Sequence, residues 1–387
     1  MAISSPLDDF EKIKMIDKSD LCGTQFRFPE NCEDAIKIAE KLKIPRRLRI
    51  SRKVSINYGK PERILVAGMG GSAIVGDILR TWLSDYLPIP ISVSRDYHLP
   101  AYADNKTLVF AVSYSGRTEE TLSSFIEAVQ RRCMVIGISS GGSLQKFCQK
   151  LKIPFFKLPE NMLPRAAIPY LFFSLVIAIE KLGVLKDRRG EIAESLVILK
   201  KVREETKPET PTPKNIAKQI ALQIKGTVPV IYGFGSFESI ALRVKTQFNE
   251  NSKVPAKYGV FPELNHNEIV GWRGPPELTK IFSIILIRDS DEPPEIKARI
   301  DLTKKLALKG KVSKILELYA RGRSKLAKML SAMYIGDFTS IYLAILYEVD
   351  PATMEVITNM KEELKRKVKI PEKIERQFHE LTKGEAP

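Results

Sequence analysis

Gly68-Met69-Gly70-Gly71-Ser72 and Ser113-Tyr114-Ser115-Gly116-Arg117-Thr118 are the two stretches of this chain best equipped to surround an anion. A glycine turn between a strand and a helix lets the backbone approach a phosphate closely, and the N–H groups at the helix start point at it. The first stretch fits that geometry. Alone the signal is ambiguous. With Ala73 the same residues satisfy the looser dinucleotide pattern Gly-x-Gly-x-x-Ala, and a tight turn that needs glycine only for packing is the plain alternative. The second stretch sharpens the choice. Ser113, Ser115 and Thr118 place three hydroxyls around Gly116, neutral donors able to converge on one phosphoryl group. A dinucleotide needs no such second nest, and Asp96 is the one acidic candidate for holding its ribose. The pair of turns therefore favours a sugar phosphate. Thr118 also reads as an ordinary N-cap, with Glu120 near the capping-box position.

Moving a proton between neighbouring carbons of a sugar takes a base, usually a carboxylate, and opening the ring takes an acid/base group. The chain has three histidines. His98, beside Pro100, and His379, in a charged C-terminal helix, carry no signal. His266 stands in Phe261-Pro262-Glu263-Leu264-Asn265-His266-Asn267-Glu268, a polar stretch between apolar segments, where a role and no role fit equally well. Glu250 closes a helix, between Asn249 and Asn251. The negative end of a helix macrodipole gives an ionised carboxylate no support, which suits a group that must accept a proton and return it. A surface residue at a helix end is the competing explanation.

These residues need a scaffold, and the hydrophobic pattern supplies one. A strand-then-helix rhythm begins at residue 63: strands over 63–67, 91–94, 107–112, 133–138 and 153–158, with helices over 72–86 and 118–132. Strands alternating with helices argue for a parallel sheet covered on both faces. The segment 166–182 is apolar all round and is expected at a domain or subunit interface. Between residues 187 and 214 a charged helix runs into Lys207-Pro208-Glu209-Thr210-Pro211-Thr212-Pro213, which neither a helix interior nor a central strand tolerates. The rhythm then restarts: a strand over 228–232, the turn Gly233-Phe234-Gly235-Ser236, and a helix over 237–251. Ile231-Tyr232-Gly233-Phe234-Gly235-Ser236 echoes Val66 to Ser72, as duplication of one α/β unit would. A strand over 281–287 and helices over 293–308, 324–347 and 352–367 complete the second half. The expected division is an N-terminal extension (1–60), a first unit (61–186), a linker (187–214) and a second unit with C-terminal helices (215–387).

Composition narrows the function classes. The chain has 387 residues, 44% of them hydrophobic and 28% charged, as a folded globular protein does. The net charge of +16 comes from scattered lysines and arginines rather than from a patch mixed with aromatics. The densest runs, 41–53 and 361–369, read as solvated faces. Nucleic acid is thus not the expected partner, and the basic surface would instead steer in a dianionic sugar phosphate. Cys22, Cys32, Cys133 and Cys148 lack metal-like or redox-like spacing, so a reducing, cytoplasmic setting is expected, with pairing of Cys22 and Cys32 open for a hyperthermophile. The first twenty residues have no apolar signal core. The longest apolar run, 168–179, is too short to span a bilayer. No ligand cluster for a metal stands out, and no cofactor is expected.

The stretches Gly68 to Ala73, Ser113 to Thr121 and Pro164-Arg165-Ala166-Ala167, together with Phe248-Asn249-Glu250-Asn251-Ser252-Lys253 and Phe261 to Trp272, resemble the archaeal bifunctional phosphoglucose/phosphomannose isomerases. The resemblance runs from about residue 60 to 365. It implies two sugar-isomerase (SIS) subdomains, each a doubly wound parallel sheet flanked by helices, and usually a homodimer. It implies reversible isomerisation of glucose 6-phosphate and mannose 6-phosphate to fructose 6-phosphate through a cis-enediol. By matching position, Glu250 looks like the proton-transferring base and His266 like the ring-opening group supplied by the partner subunit. Arg165 would stabilise the enediolate, and Lys361 would be the C-terminal lysine that closes over the site. Gly70, Gly71, Ser72, Ser113, Ser115 and Thr118 would hold the phosphate. Arg117 stands where asparagine is common. Thr353 is the candidate for the threonine that accommodates both C2 epimers, with Met354 competing for that position. A non-catalytic sugar-phosphate sensor would share the turns but have no use for Glu250 and His266. Residues 1–60 and those after 368 extend beyond the resemblance.

Overall fold

The computed structural model describes residues 5–51 and 54–382. By contacts the chain divides into two compact units. The first comprises Glu30–Arg188 and Met354–Pro387, the second Met1–Pro29 and Arg189–Thr353. This differs from the expected division at both ends. Residues up to Pro29 belong with the second half and those from Met354 with the first, because tertiary packing, not chain order, assigns them.

In chain order the elements begin with α1 (Phe10–Ile16) and α2 (Leu21–Phe26), which pack in the second unit. The first unit opens with α3 (Phe28–Ala39) and an antiparallel ribbon of β1 (Arg47–Arg49) and β2 (Ser55–Asn57). Its sheet follows: β3 (Arg63–Ala67), α4 (Gly71–Leu83), β4 (Ile91–Ser94), β5 (Thr107–Val112), α5 (Glu119–Gln130), β6 (Met134–Ser139), α6 (Gly142–Leu151) and β7 (Phe155–Lys157), then α7 (Ile168–Lys181). The strands are parallel, in the order β4-β3-β5-β6-β7. The hydrophobic pattern predicts all five strands but not α6, whose Gly142 start and polar composition hide its helical period. All residues of β5 and β6 are buried, as strands covered on both faces must be. Helix α7 lies on α4, with Phe172 and Trp82 rings 5.8 Å apart, and is buried from Ile168 to Ile179. The all-round apolar helix is thus buried along most of its length.

The second unit continues with α8 (Arg189–Thr206), α9 (Ile216–Ile224), β8 (Val228–Phe234), α10 (Phe237–Glu250) and β9 (Lys257–Phe261). After two short helices, α11 (Glu268–Gly271) and α12 (Pro276–Thr279), come β10 (Phe282–Arg288), α13 (Pro294–Thr303), β11 (Lys314–Tyr319) and α14 (Lys325–Leu346). Its parallel sheet has the order β11-β10-β8-β9. Among the described residues α14 is the one helix long and apolar enough to cross a membrane, yet it is wholly buried as the core against which α8, α9 and α10 pack. Arg243 of α10 and Asp337 of α14, 2% and 1% exposed, form a two-pronged ion pair at 3.2 and 3.0 Å. The region expected to be a linker is ordered: Asp8 accepts from Thr212 and from Lys218, tying down the chain after the prolines. The chain ends on α15 (Glu355–Val368) and α16 (Ile370–Thr382), in the first unit. All four cysteines are free and buried, so Cys22 and Cys32 do not pair.

Candidate functional site

In the first sheet the chain goes from β3 outward to β4 and then crosses to β5 on the other side of β3. Strand order reverses there, and the crevice beyond the carboxyl ends of β3 and β5 is where such sheets bind ligands. Both glycine- and hydroxyl-rich turns leave from those two ends. Gly68 must be glycine, because a Cβ would stand 2.8 Å from the Val112 carbonyl oxygen. Gly70, at a φ of 51°, precedes the first turn of α4. Ser72 ties the turns together, its hydroxyl accepting the Tyr114 N–H at 3.1 Å.

The second turn is built around Gly116, at a φ of 63°. Its N–H donates to the Ser113 carbonyl at 2.9 Å, and a Cβ there would come within 1.8 Å of the Gly141 carbonyl oxygen. The start of α6 therefore closes on this turn from behind. Ser113 is fully buried, and its hydroxyl is 2.8 Å from that of Thr118. Thr118 is the N-cap of α5 by backbone, yet its side chain makes no capping bond. The hydroxyl turns toward Ser113 instead of the helix. Ser115 accepts the Arg117 N–H at 3.2 Å, and both side chains are exposed.

Arg165 sits in the 3-10 turn Pro164–Ala166, only 2% exposed. Gly71 makes room for it: a Cβ would lie 3.1–3.2 Å from the Pro164 and Arg165 backbone. The backbone of this 3-10 turn thus lies against the first glycine turn, and the Arg165 Nη1 donates to the Met354 sulfur at 3.1 Å. This contact was invisible in the sequence, because nearly two hundred residues separate the partners. Lys361, on exposed α15, shares a cleft of about 560 Å³ with Ser115, Arg117 and Thr118. The carboxyl of Glu119 is raised above its ordinary range by burial first, then by Glu120 and Glu372, and Lys361 opposes the rise.

Glu250 is the half-buried last residue of α10. Its neighbours fasten that helix end to α14. Asn251 donates to the Ser340 hydroxyl at 2.9 Å, Ser252 to the Ser340 carbonyl at 2.6 Å, and Asn249 reaches the Val254 carbonyl at 2.9 Å. Lys253 Nζ bonds the Glu250 carbonyl at 2.5 Å and the Thr353 carbonyl at 2.9 Å. Thr353 commits its hydroxyl to the Asp350 carbonyl, closing a local turn, and it is Met354 that stands beside Arg165. His266 is exposed, in the loop after β9, with its N–H on the Glu263 carbonyl. Two residues on, Glu268 accepts from the Tyr232 hydroxyl at 2.6 Å, which accepts in turn from Trp272 at 2.9 Å. That buried chain holds the loop on the sheet and pushes the Tyr232 phenol far up, through burial and the facing carboxylate. Among the described residues no group of three His, Cys, Asp or Glu side chains could hold a metal ion.

A profile of the bacterial phospho-glucose isomerase C-terminal SIS domain matches residues 213–364, and one of the SIS domain matches residues 58–156. Over 324 residues the chain is 42% identical to a bifunctional phosphoglucose/phosphomannose isomerase of Caldicellulosiruptor bescii, covering 83% of this chain and 95% of that protein. Over 304 residues it is 38% identical to the Aquifex aeolicus protein of the same description, covering 78% and 90%. The crystal structure of a glucose-6-phosphate isomerase like protein from Thermus thermophilus superposes with a TM-score of 0.57 over 90% of this chain and 98% of that one, at 19% identity. That last similarity speaks to fold alone.

Proposed function

Because the chain belongs to the bifunctional phosphoglucose/phosphomannose isomerase family, we propose that it interconverts glucose 6-phosphate and mannose 6-phosphate with fructose 6-phosphate. The observation that carries this reading is the joining of the two turns at the switch point of the first sheet, through Ser72 and Tyr114, with the buried Arg165 packed by its backbone against Gly71. Gly70, Gly71, Ser72, Ser113, Ser115 and Thr118 hold the phosphate through backbone N–H groups and hydroxyls. Glu250 takes the proton from one carbon and returns it to its neighbour through a cis-enediol. Arg165 stabilises the enediolate charge where water is excluded. His266 opens the sugar ring, and Lys361 supplies a cation at the mouth of the phosphate site. The proton leaves and returns within one substrate, so the reaction consumes no redox cofactor, and we assign no metal to it.

His266 acts, in this proposal, in the active site of the partner subunit of a homodimer. The topology of the second unit supports the assignment. Glu250 ends the helix that leads into β9, whereas His266 follows the other end of that strand, so a strand about 16 Å long lies between them in one chain. We place the enzyme in the cytoplasm, in the sugar-phosphate steps of glycolysis and gluconeogenesis. A non-catalytic sugar-phosphate sensor would not need an Asn-Glu-Asn-Ser helix end fixed to α14 by Ser340.

The test is incubation of the purified protein with fructose 6-phosphate, with and without a chelator, and separate assay of each aldose. Both aldoses are expected at rates the chelator leaves unchanged. Fructose 6-phosphate bound but never converted would replace the enzyme by the sensor.

A further inference from the structure

Helix α16 begins after the segment that the isomerase C-terminal profile matches, and none of the roles above uses it. It is firmly docked. Ile374, Phe378 and Thr382, spaced to share one face, are its buried residues. The Phe378 ring stacks on that of Phe147 of α6, 3.7 Å between centroids and 9° between planes. Lys150 of the same helix donates to the Thr382 hydroxyl at 3.1 Å and lies 5.6 Å above the Phe378 ring. The helix also runs along α5. Both supporting helices start at the second phosphate turn, one at Thr118 and the other at the Gly141–Gly142 corner that closes on Gly116.

The preceding helix has no such support. Every residue of α15 is exposed, so burial does not fix where it lies. What fixes its far end is the corner to α16: Lys369, left-handed at a φ of 49°, with its N–H on the Lys365 carbonyl. A single-residue corner transmits the placement of one helix to the other. The outcome is the 560 Å³ cleft, with Ser115 and Thr118 on one wall, Lys361 and Lys365 on another, and Ile374 and Glu375 of α16 on the third.

We propose that α16 is a positioning element of the phosphate site, anchored by Phe378, which holds α15 so that Lys361 faces the mouth of the second turn. The proposal rests on the phosphate-binding reading of that turn. Phe378 touches no substrate; it acts through α15 and Lys361. The test uses the full chain, as Phe378→Ala and Ile374→Ser, each alone and with Lys361→Ala. Calorimetric binding of inorganic phosphate and steady-state kinetics with fructose 6-phosphate are the readouts. Each α16 variant is expected to raise KM and the phosphate Kd about fivefold, the worth of one partly exposed ion pair, with kcat within about twofold. In the Lys361→Ala background the same changes should shrink to less than twofold, since no lysine is left to place. Phe378→Leu, which keeps the apolar plug, should recover most of the loss. Unchanged phosphate affinity in variants whose thermal stability has fallen would reduce α16 to a stabilising appendage and overturn the proposal, as would an equal effect with and without Lys361. If the unaltered protein binds phosphate but turns over no sugar phosphate, the isomerase reading fails while the binding arm still decides the role of α16.

Discussion

Ser113, Thr118 and Arg165 show how much of the proposed phosphate site individual residue types announce. Hydroxyls clustered about a glycine can be read directly as an anion nest, and that reading needed no tertiary information. Which way Thr118 turns could not be read. A hydroxyl at an N-cap ordinarily serves the helix, but Ser113 is fully buried 2.8 Å away and the two pair. Arg165 was marked only by resemblance, because a lone arginine after a proline has no local signature; its burial and its sulfur acceptor come from residues far along the chain. The planar fork of arginine should matter more than its charge. Arg165→Lys is therefore expected to lower kcat by about 10²-fold or more while KM changes little, since the interaction is asked for mainly in the transition state. A rise in KM at constant kcat, measured by steady-state kinetics, would instead make Arg165 a phosphate ligand.

The elements that aim these residues were legible where they were long and apolar, and illegible where they were short or polar. β3, β5 and β6 declare themselves as buried runs between turn residues. β9 and β11, in which only two residues of five and one of six are buried, do not, and the Gly141–Gly142 start conceals α6. That helix turns out to matter for the site, because its first residues leave Gly116 no room for a side chain. Gly116→Ala puts a Cβ both in the left-handed region and into the Gly141 carbonyl. We expect it to cost about 1–3 kcal/mol from the backbone alone, with further loss from the clash. Thermal unfolding should report the drop, and phosphate binding should weaken in the protein that remains folded. An alanine variant as stable as the parent would show that the turn and α6 can part.

At the scale of the whole chain, the sequence foretold two parallel-sheet units, yet it misassigned both termini. A contiguous division cannot foresee that Asp8 will be claimed by Thr212 and Lys218, or that Phe378 will stack on Phe147. The same scale governs how His266 is used. If it serves the partner's site, a mixture of Glu250→Gln and His266→Ala chains, each inactive alone, should regain activity when refolded together. Each mixed dimer then has one site with both groups intact, so about a quarter of full activity is expected for random pairing. Continued silence of the mixture would return His266 to its own chain.

The proposed reaction turns on Glu250 as the base that moves the sugar's proton. Glu250→Gln tests it most directly, with binding and turnover of fructose 6-phosphate measured on one preparation. A dissociation constant within about twofold of the parent is expected, with turnover reduced by about 10³-fold or more, because a base acts in the transition state and not in holding the ground state. Turnover within about tenfold of the parent at unchanged affinity would remove Glu250 from the reaction.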